Sequence, residues 1–313
     1  IGPQDHLRQH LGTGRRQINQ LRGIAIDRDR HPGEHPDPLG AAGSAVILDS
    51  QGLTTDQMQA IAHWTNLAET TFILPPTHPD ADYRVRIFTT RKEIAFAGHP
   101  SIGSAHALID AGLQPKQAGV ILQECQAGIL PIRHRPDSPN NLYSVRVPSS
   151  NWRRYADETD PVFCEALPAR YWTSLKPALV EGGRRWWLAQ LPNEQSVREF
   201  QPDRYAIETL AKASNSLGLC IFAPSKNAGT DLVVRAFPLG VGIDEDPASG
   251  AANAAIAAFL HETGHLATIG YNYRVSQGRE IGRDAILSLE VDDAGQVWVG
   301  GDCKTVIRGQ LQW

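Results

Sequence analysis

The order of apolar and polar residues predicts a chain of many short strands and a few helices. Residues 44–49 (SAVILD) predict a buried strand, because four apolar residues follow one another. Thr54 and Gln57 stand three positions apart, as the two members of a capping box do, and predict the start of a helix. A strand over 70–74 follows, so Glu69 lies where a helix passes into a strand, a place where functional side chains are often displayed.

Further elements follow from the same patterns. A helix is predicted from Pro100 to about Gly112, and two more over 202–214 and 251–263. The mixture of helices with strands of unequal length favours an α/β or α+β fold with wrapped sheets over a regular doubly wound sheet. The remaining predicted strands lie at 83–88, 119–123, 142–147, 185–190, 220–223, 232–237, 286–291, 297–300 and 306–313.

One motif occurs twice along the chain. Residues 85–88 (VRIF) are similar to 234–237 (VRAF), and after each of them a short loop leads to a helix rich in small residues. In this alignment 100–109 match 247–256, with an offset that can slide by about one helical turn. Each helix start presents free backbone N–H groups and a positive dipole end, which favour a carboxylate or another anion. Two such starts facing one cleft would clamp an anionic substrate; alternatively, they are simply well-packed helix starts.

Length and composition narrow the class of protein. The 313 residues suit two domains better than one, and a net charge of −4 argues against a nucleic-acid binder, which needs a basic face. No apolar run approaches the roughly 18 residues of a membrane span, and the first residues lack the pattern of a secretory signal. Four scattered cysteines without a CxxC pair predict reduced thiols in a cytoplasmic protein and no metal site. No glycine-rich phosphate-binding pattern follows a strand, so a nucleotide cofactor is not expected.

Several longer stretches together resemble the PhzF-like family of phenazine-biosynthesis proteins, a branch of the diaminopimelate epimerase fold. The combination of NLAETTF and AGHP, followed by EDPASG, is a specific signal, and the similarity runs from about residue 44 to the end of the chain. The matching stretches are 52–58, 66–72, 86–89, 96–100, 244–250, 277–278 and 282–283.

The resemblance implies an α+β fold of two pseudo-symmetric domains, each a curled mixed sheet or barrel around a central helix. The corresponding boundaries are 41–137 for the first domain and 138–300 for the second, with 301–313 as a last strand that returns to the first domain. The active site would lie between the domains. Members of the family are usually homodimers and need no cofactor, so we expect a homodimer without a cofactor here.

The resemblance also assigns roles to single residues. The glutamate of the ETTF stretch, here Glu69, is implied as the acid/base group. The histidine of GHP and the aspartate of EDP, here His99 and Asp246, are implied as groups that flank the substrate. Backbone around the two helix starts would bind a substrate carboxylate or other polar groups. The residues implied in this binding are Gly98, Pro100, Ser101, Gly250 and Ala251.

The chemistry is consistent without reference to any family. Moving a proton between two carbons needs one group that takes the proton and returns it elsewhere, and a carboxyl group does so when partial burial raises its pKa. Without such a role, Glu69 would be a surface carboxylate beside a strand, and His99 and Asp246 would be capping or loop residues. Arg86 and Arg235 are either inward-facing substrate ligands or strand arginines paired with carboxylates.

The chain departs from the family pattern in two places. The related epimerases and racemases use two opposed cysteines, and neither 88–106 nor 237–256 contains cysteine, which excludes a two-thiol mechanism. The expected first strand and its Gly-Asn-Pro are missing, since 41–43 are Ala-Ala-Gly and the preceding segment is rich in Arg and His. We expect 1–40 to be a disordered or loosely packed arm; either the first strand is lost or this segment is not the natural start.

Three functional hypotheses follow. The first is a cofactor-independent isomerase that relocates a proton on a small, carboxylated substrate through Glu69. The second is a lyase or dehydratase, in which Glu69 removes the proton and a hydroxyl group leaves with help from His99 or Asp246; only this reaction changes the mass of the substrate. The third is a small-molecule binding protein or inactive scaffold, which the missing strand favours and the presence of all three residues disfavours.

Overall fold

A computed structural model of the chain describes residues 17–27, 42–136, 142–182, 184–227 and 229–312, with the backbone alone for 17–27 and Trp152. No helix in these residues is both long and apolar enough to cross a membrane. The described strands are β1 (Gln17–Asp27), β2 (Gly43–Ile47), β3 (Glu69–Leu74), β4 (Tyr83–Phe88), β5 (Glu93–Ile94), β6 (Val120–Cys125), β7 (Gly128–Arg135), β8 (Leu142–Arg146), β9 (Asn151–Tyr155), β10 (Ala178–Glu181), β11 (Arg185–Gln190), β12 (Leu219–Pro224), β13 (Leu232–Phe237), β14 (Asn272–Gln277), β15 (Ala285–Val291) and β16 (Val297–Gln312). The described α-helices are α1 (Thr55–Thr65), α2 (Gly98–Asp110), α3 (Pro161–Ala166), α4 (Glu194–Arg198), α5 (Arg204–Ser214) and α6 (Gly250–Glu262).

The strands form one continuous mixed sheet. Its two halves have nearly the same pattern of parallel and antiparallel strand pairs. From one edge to the other the sheet runs β1-β2-β3-β4-β6-β7-β8-β16-β15-β14-β13-β12-β11-β10-β9, with the short β5 paired to β4. The parallel pairs β2–β3 and β4–β6 of one half correspond to the parallel pairs β11–β12 and β13–β14 of the other. The two halves meet where β8 pairs with β16. This order confirms the predicted α+β class with two pseudo-symmetric parts.

Strand β16 closes the first half of the sheet. Its first residues pair with β15 and β8, and from Asp302 onward it pairs with β1. Because β1 also pairs with β2, the strands β1, β2, β3, β4, β6, β7, β8 and β16 form a closed circuit. The prediction of two separate strands at 297–300 and 306–313 is wrong over the described residues, since β16 runs without a break from Val297 to Gln312.

The first strand, which no sequence pattern indicates, is present. β1 spans 11 residues and pairs with β2 on one side and β16 on the other. The expectation of a disordered or loosely packed arm is therefore wrong for 17–27, and of the two alternatives a lost strand does not apply there, because β2 and the distant β16 both pair with this segment. The other parts of the predicted N-terminal arm, 1–16 and 28–40, lie outside the described residues.

Helix α1 packs on the outer face of the first half, and it begins with the predicted capping box. The Thr54 hydroxyl accepts from the N–H of Gln57 at 3.2 Å, and the Gln57 side chain accepts from the N–H of Thr54 at 2.9 Å. The apolar stripe of Met58, Ile61 and Ala62 is buried against strands β2, β3 and β4. The helix and its start are thus confirmed.

Helices α2 and α6 are the central helices of the two halves. α2 contacts β1, β2, β3, β8 and β16, and α6 contacts β9, β10, β11, β15 and β16. The duplicated helix is confirmed, but the predicted register is wrong, because the helices start at Gly98 and Gly250 and these two residues correspond. The alignment by proline failed since Pro100 lies in the first turn of α2, whereas Pro247 precedes α6.

Two matching ion pairs support this correspondence. Arg86 on β4 donates to Glu93 through Nε at 2.8 Å and Nη2 at 2.7 Å. Arg235 on β13 donates to Glu245 through the same atoms at 3.0 and 2.8 Å. In each half the guanidinium group also lies over the phenylalanine ring two residues later. Both arginines are therefore strand arginines paired with carboxylates. Of the two interpretations of Arg86 and Arg235, this one is favoured over a role as substrate ligands.

The different burial of the two pairs predicts different effects on stability. The side chains of Arg235 and Glu245 are each 7% exposed, whereas those of Arg86 and Glu93 are 25% and 18% exposed. Removing one charge of a buried pair leaves its partner unpaired, so Glu245→Gln should lower the free energy of unfolding by about 3 kcal/mol. The matched variant Glu93→Gln should cost about 1 kcal/mol or less. Urea unfolding measures both losses, and equal losses would contradict this reasoning.

Candidate active site

A carboxylate and an imidazole meet where the two halves adjoin. Glu69 is the first residue of β3 and His99 the second residue of α2, and their Oε2 and Nε2 atoms are 2.8 Å apart. The two side chains are 15% and 14% exposed, and at this ion-pair distance neither of the two atoms makes a hydrogen bond within the described residues. Because this site is mostly buried, electrostatic interactions in it are stronger than at the protein surface.

Local structure determines where Glu69 stands. Helix α1 ends at Asn66, which adopts a left-handed conformation with a φ of 52° and turns the chain towards β3. β3 runs parallel to β2 with Glu69 opposite Ser44, whose hydroxyl donates to the Glu69 carbonyl at 3.2 Å. Glu69, expected between a helix and a strand, is therefore held by the sheet, which restricts the directions that its side chain takes.

Asp246 approaches from the other half. It lies in the loop between β13 and α6, where its N–H donates to the Ala236 carbonyl at 2.9 Å. Its Oδ1 accepts from the N–H of Ala248 at 3.0 Å, so one carboxylate oxygen is used within the loop. The charge of Asp246 acts on both His99 and Glu69. The structure thus brings together the three residues that were predicted as catalytic, although they lie far apart in the sequence.

The pKa values of two of these groups are displaced. Burial by itself lowers the pKa of His99, but the charge of Glu69, the close contact with its carboxylate and the charge of Asp246 raise that pKa above its ordinary value. Burial raises the pKa of Asp246, against the opposing effects of the Ala248 N–H and the His99 charge. Groups with displaced pKa values that lie together in a partly enclosed place are typical of proton-transfer sites.

The starts of α2 and α6 touch each other. A methyl group on Gly250 would lie 3.6 Å from the Cα of Gly98, so no side chain separates the two helices here. The first N–H groups of a helix have no partner within it. Those of Gly98, His99, Gly250 and Ala251 donate to no group in the described residues. These donors and the positive ends of two helix dipoles are concentrated in one region, which suits a carboxylate or another anion.

The remaining predicted substrate-binding residues, Pro100 and Ser101, are buried. Pro100 has no N–H to offer, and the N–H of Ser101 donates to the Ala97 carbonyl at 3.3 Å. The Ser101 hydroxyl donates to the same carbonyl at 2.8 Å and accepts from the Nε2 of Gln123 at 3.0 Å. Both residues thus shape the start of α2, and their direct contact with a substrate stays a prediction.

The three candidate residues have no ionisable counterpart in the other half. The halves are aligned by the strand pairing around the two Arg–Glu pairs and by the two helix starts. Gly218 has a φ of 151°, and a methyl group there would collide with the Phe237 carbonyl, so this position has no room for a side chain. The counterparts of Glu69, His99 and Asp246 are, in that order, Gly218, Ala251 and Ile94.

Two buried glutamines, to which the sequence patterns assign no role, brace the helix starts. Gln123 on β6 binds Ser101 of α2 at 3.0 Å, and Gln277 at the end of β14 binds Asn253 of α6 at 2.7 Å. Both glutamines are fully buried. Each glutamine lies near the end of the strand that follows its helix, but the strand pairing puts Gln277 at the position equivalent to Cys125, so aligning the repeat in the sequence does not reveal the pair.

Other candidate sites are weaker. Within the described residues no three His, Cys, Asp or Glu side chains are grouped so that they could hold a metal ion. A cleft of about 740 Å³ lies on the outer face of the first half, and it is lined by none of the three candidate residues. The positive and negative charges that line this cleft cancel. They belong to Arg84, Arg86, Glu93 and Glu124.

The contact between Glu69 and His99 predicts how the pKa of His99 responds to substitution. In Glu69→Gln the charge disappears while burial remains, so the pKa of His99 should fall. A folded-state pKa raised above 6.5 contributes stability that is present at lower pH and lost as the pH rises through that pKa. Glu69→Gln should therefore lose more stability at about pH 6 than at about pH 9.

NMR titration of the imidazole carbon signals of the 11 histidines measures this pKa, with His99→Gln to assign the signal. Glu93→Gln removes a different paired carboxylate of the same half and should leave the pKa of His99 unchanged. A pKa of His99 that is the same in Glu69→Gln as in wild type would show that the two side chains do not interact in solution.

Comparison with known proteins relates this geometry to a family. The family model PhzC-PhzF, described as phenazine biosynthesis-like protein, matches residues 37–309. A Schizosaccharomyces pombe protein named antisense-enhancing sequence 1 is 32% identical over 278 residues, which cover 85% of this chain and 92% of that protein. The trans-2,3-dihydro-3-hydroxyanthranilate isomerase of Pseudomonas aeruginosa is 28% identical over 261 residues, which cover 83% of this chain and 88% of the isomerase.

Solved structures show the same fold. A Pseudomonas aeruginosa protein described as a predicted epimerase has a TM-score of 0.74 and 24% identity, and the match covers 94% of this chain and 99% of that protein. At this level of identity the likeness concerns the fold alone, and it confirms the expected epimerase-like architecture. Because the family model spans most of the chain and several relatives are named isomerases, the chain belongs to the PhzC/PhzF family of phenazine biosynthesis-like proteins, a family of isomerases.

Proposed function

We propose that this protein is a cofactor-independent isomerase that relocates a proton on a small, carboxylated substrate, with Glu69 as the acid/base group. The observation that carries the proposal is the 2.8 Å contact between Glu69 and His99 beside the unpaired N–H groups of two helix starts. A group able to carry a proton and a set of donors able to hold an anion lie next to each other. Proton transfer beside a carboxylate requires both.

The substrate carboxylate would bind at the N–H groups of Gly98, His99, Gly250 and Ala251. Its negative charge would face the positive dipole ends of two helices that are firmly held, because each is buried in its half of the sheet. As a proton leaves the neighbouring carbon, negative charge develops on the carboxylate and on the atoms conjugated with it. Donors that are already in place stabilise this charge and lower the barrier.

Glu69 would take the proton from one carbon and return it to another. The Nε2 atom of His99 lies 2.8 Å from the Glu69 carboxylate, and the charge of Glu69 raises the pKa of His99 against the opposing effect of burial. Because the counterpart of Glu69 is a glycine without room for a side chain, the proposal uses one base. Both transfers would then take place on the face of the substrate that Glu69 meets.

Asp246 would act on the substrate from the other half. Burial raises the pKa of Asp246, so a larger fraction of this carboxyl group carries a proton and donates a hydrogen bond at a given pH. The same raised pKa favours a second candidate function, a lyase in which Glu69 removes a proton while Asp246 or His99 protonates a departing hydroxyl group. Loss of water changes the mass of the substrate, and isomerisation does not.

The relatives bear on the class of substrate. One of them is named for the isomerisation of trans-2,3-dihydro-3-hydroxyanthranilate, a dihydro-aromatic amino acid. We infer that the substrate of this chain is a small carboxylic acid with a C–H bond next to unsaturated bonds, since only such a bond is acidic enough for a carboxylate base. The homodimer, the cytoplasmic location and the domain boundaries stay predictions.

Incorporation of deuterium from the solvent tests the proposed reaction. The protein is incubated in D2O with small carboxylic and dihydro-aromatic acids, including trans-2,3-dihydro-3-hydroxyanthranilate, and the products are analysed by mass spectrometry. Wild type and the control Glu93→Gln should introduce label into at least one compound. Glu69→Gln should reduce the rate by about 100-fold or more, the usual effect of removing a general base.

The alternatives give different results in the same experiment. Exchange that continues at the wild-type rate in Glu69→Gln would refute the role of Glu69. A product lighter by one water would favour the lyase. A compound that binds tightly to both proteins and exchanges with neither would favour a small-molecule binding protein.

A further inference from the structure

The side chain of Gln277 ties the loop that carries Asp246 to the start of α6. Gln277 is the last residue of β14 and is fully buried. Its Nε2 donates to the Asp246 carbonyl at 2.6 Å. Its Oε1 accepts from the Asn253 side chain at 2.7 Å and from the Ser249 N–H at 3.3 Å. One side chain thus connects the acidic residue, the residue that caps α6 and the first turn of the helix.

The next residue along the chain contacts the same loop. Gly278 has a φ of 82°, and a methyl group there would lie 2.6 Å from the carbonyl oxygen of Pro247 and 2.9 Å from its Cα. The backbone at the end of β14 therefore packs directly against the loop. Gly278 blocks a movement of the loop towards β14, and the hydrogen bond from Gln277 opposes a movement away from it.

The first half also has a buried glutamine on the equivalent strand, although the strand pairing puts it two positions from the counterpart of Gln277, and it lacks the corresponding hydrogen bond. Gln123 donates to the Ser101 hydroxyl at 3.0 Å and accepts from the Tyr83 hydroxyl at 2.8 Å. It makes no bond to the carbonyl of Ile94, the counterpart of Asp246, although both residues are described. The bond from the glutamine to this loop position thus occurs only in the half whose loop carries an ionisable residue.

The volume that the Gln277 side chain fills does not by itself require a glutamine. A buried amide costs free energy unless its donors and acceptors are used, and an apolar side chain of the same length would occupy the same volume. The amide of Gln277 reaches the backbone of the residue whose carboxylate acts on His99. Its hydrogen bonds therefore bear on the candidate site as well as on packing.

We propose that Gln277 is a positioning residue for Asp246. By binding the Asp246 carbonyl and the start of α6, it holds the loop in the position from which the Asp246 carboxylate acts on His99. Gln277 acts through other residues and touches no substrate. The inference rests on the proposed function, because that function gives Asp246 its part in catalysis. The coupling itself is measurable without turnover.

The charges around His99 determine the effect of such a coupling. His99 faces Glu69 on β3 and Asp246 in the loop before α6, and both raise its pKa. Asp246 faces His99, Glu69 and the thiol of Cys220 on β12, whose own pKa is raised by burial and further by Asp246. If Asp246 moves away, the part of the rise in the pKa of His99 that Asp246 causes is lost, and the part that Glu69 causes remains.

A double-substitution cycle, read by NMR titration of His99 in the full chain, tests the proposal. Gln277→Met keeps the length of the side chain and removes the amide that holds the loop. We expect Gln277→Met to lower the pKa of His99 and to diminish the lowering that Asp246→Asn causes in wild type. The matched control is Gln123→Met, which removes the other buried amide and should leave the effect of Asp246→Asn on His99 at its full size.

The proposal is overturned if Asp246→Asn lowers the pKa of His99 equally in wild type and in Gln277→Met. If Gln277→Met does not fold, Gly278→Ala displaces the same loop through its contact with Pro247, and the same loss of coupling is expected. A full-size effect of Asp246→Asn in that background overturns the proposal as well. Deuterium exchange that persists in Glu69→Gln would refute the proposed function and leave this cycle interpretable, so the two failures are distinguishable.

Discussion

The contact between Gly98 and Gly250 is the constraint on which the rest of the structure depends. Two central helices, each enclosed by one half of the sheet, begin side by side because no side chain stands between these glycines. Their unpaired N–H groups are concentrated in one region, to which β3 brings Glu69 and the loop before α6 brings Asp246. A site of this composition needs both halves, and β16 joins them by pairing with strands of each.

Duplication accounts for the scaffold, and the departures from it account for the candidate chemistry. The Arg–Glu pairs recur in both halves, and each half also has a buried glutamine that binds the start of its central helix. The acid/base candidates do not recur, and Gly218 stands without room for a side chain where a second glutamate would be needed. A chain with one carboxylate in this place is better suited to moving a proton along a substrate than to inverting a stereocentre.

Local signals predict much of this fold, and the failures share a physical cause. The strands at 83–88, 185–190 and 232–237 are predicted at their observed bounds because apolar runs between turn residues are local features. β1, the unbroken β16, the mostly polar β14 and the register of the two central helices depend on partners that are distant in sequence. Short motifs likewise identify Glu69, His99 and Asp246 as candidates. They do not reveal that Gln277 braces the Asp246 loop, because that contact exists only after β14 has paired.

The central claim is that the substrate binds between the two helix starts, beside Glu69. A crystal structure with 2-aminobenzoate, a stable aromatic acid related to the proposed substrates, tests this claim most directly. We predict a carboxylate within hydrogen-bonding distance of the N–H groups of Gly98 and Gly250, with the ring next to the Glu69–His99 pair. Binding in the cleft lined by Arg84 and Arg86, with nothing at the helix starts, would contradict it.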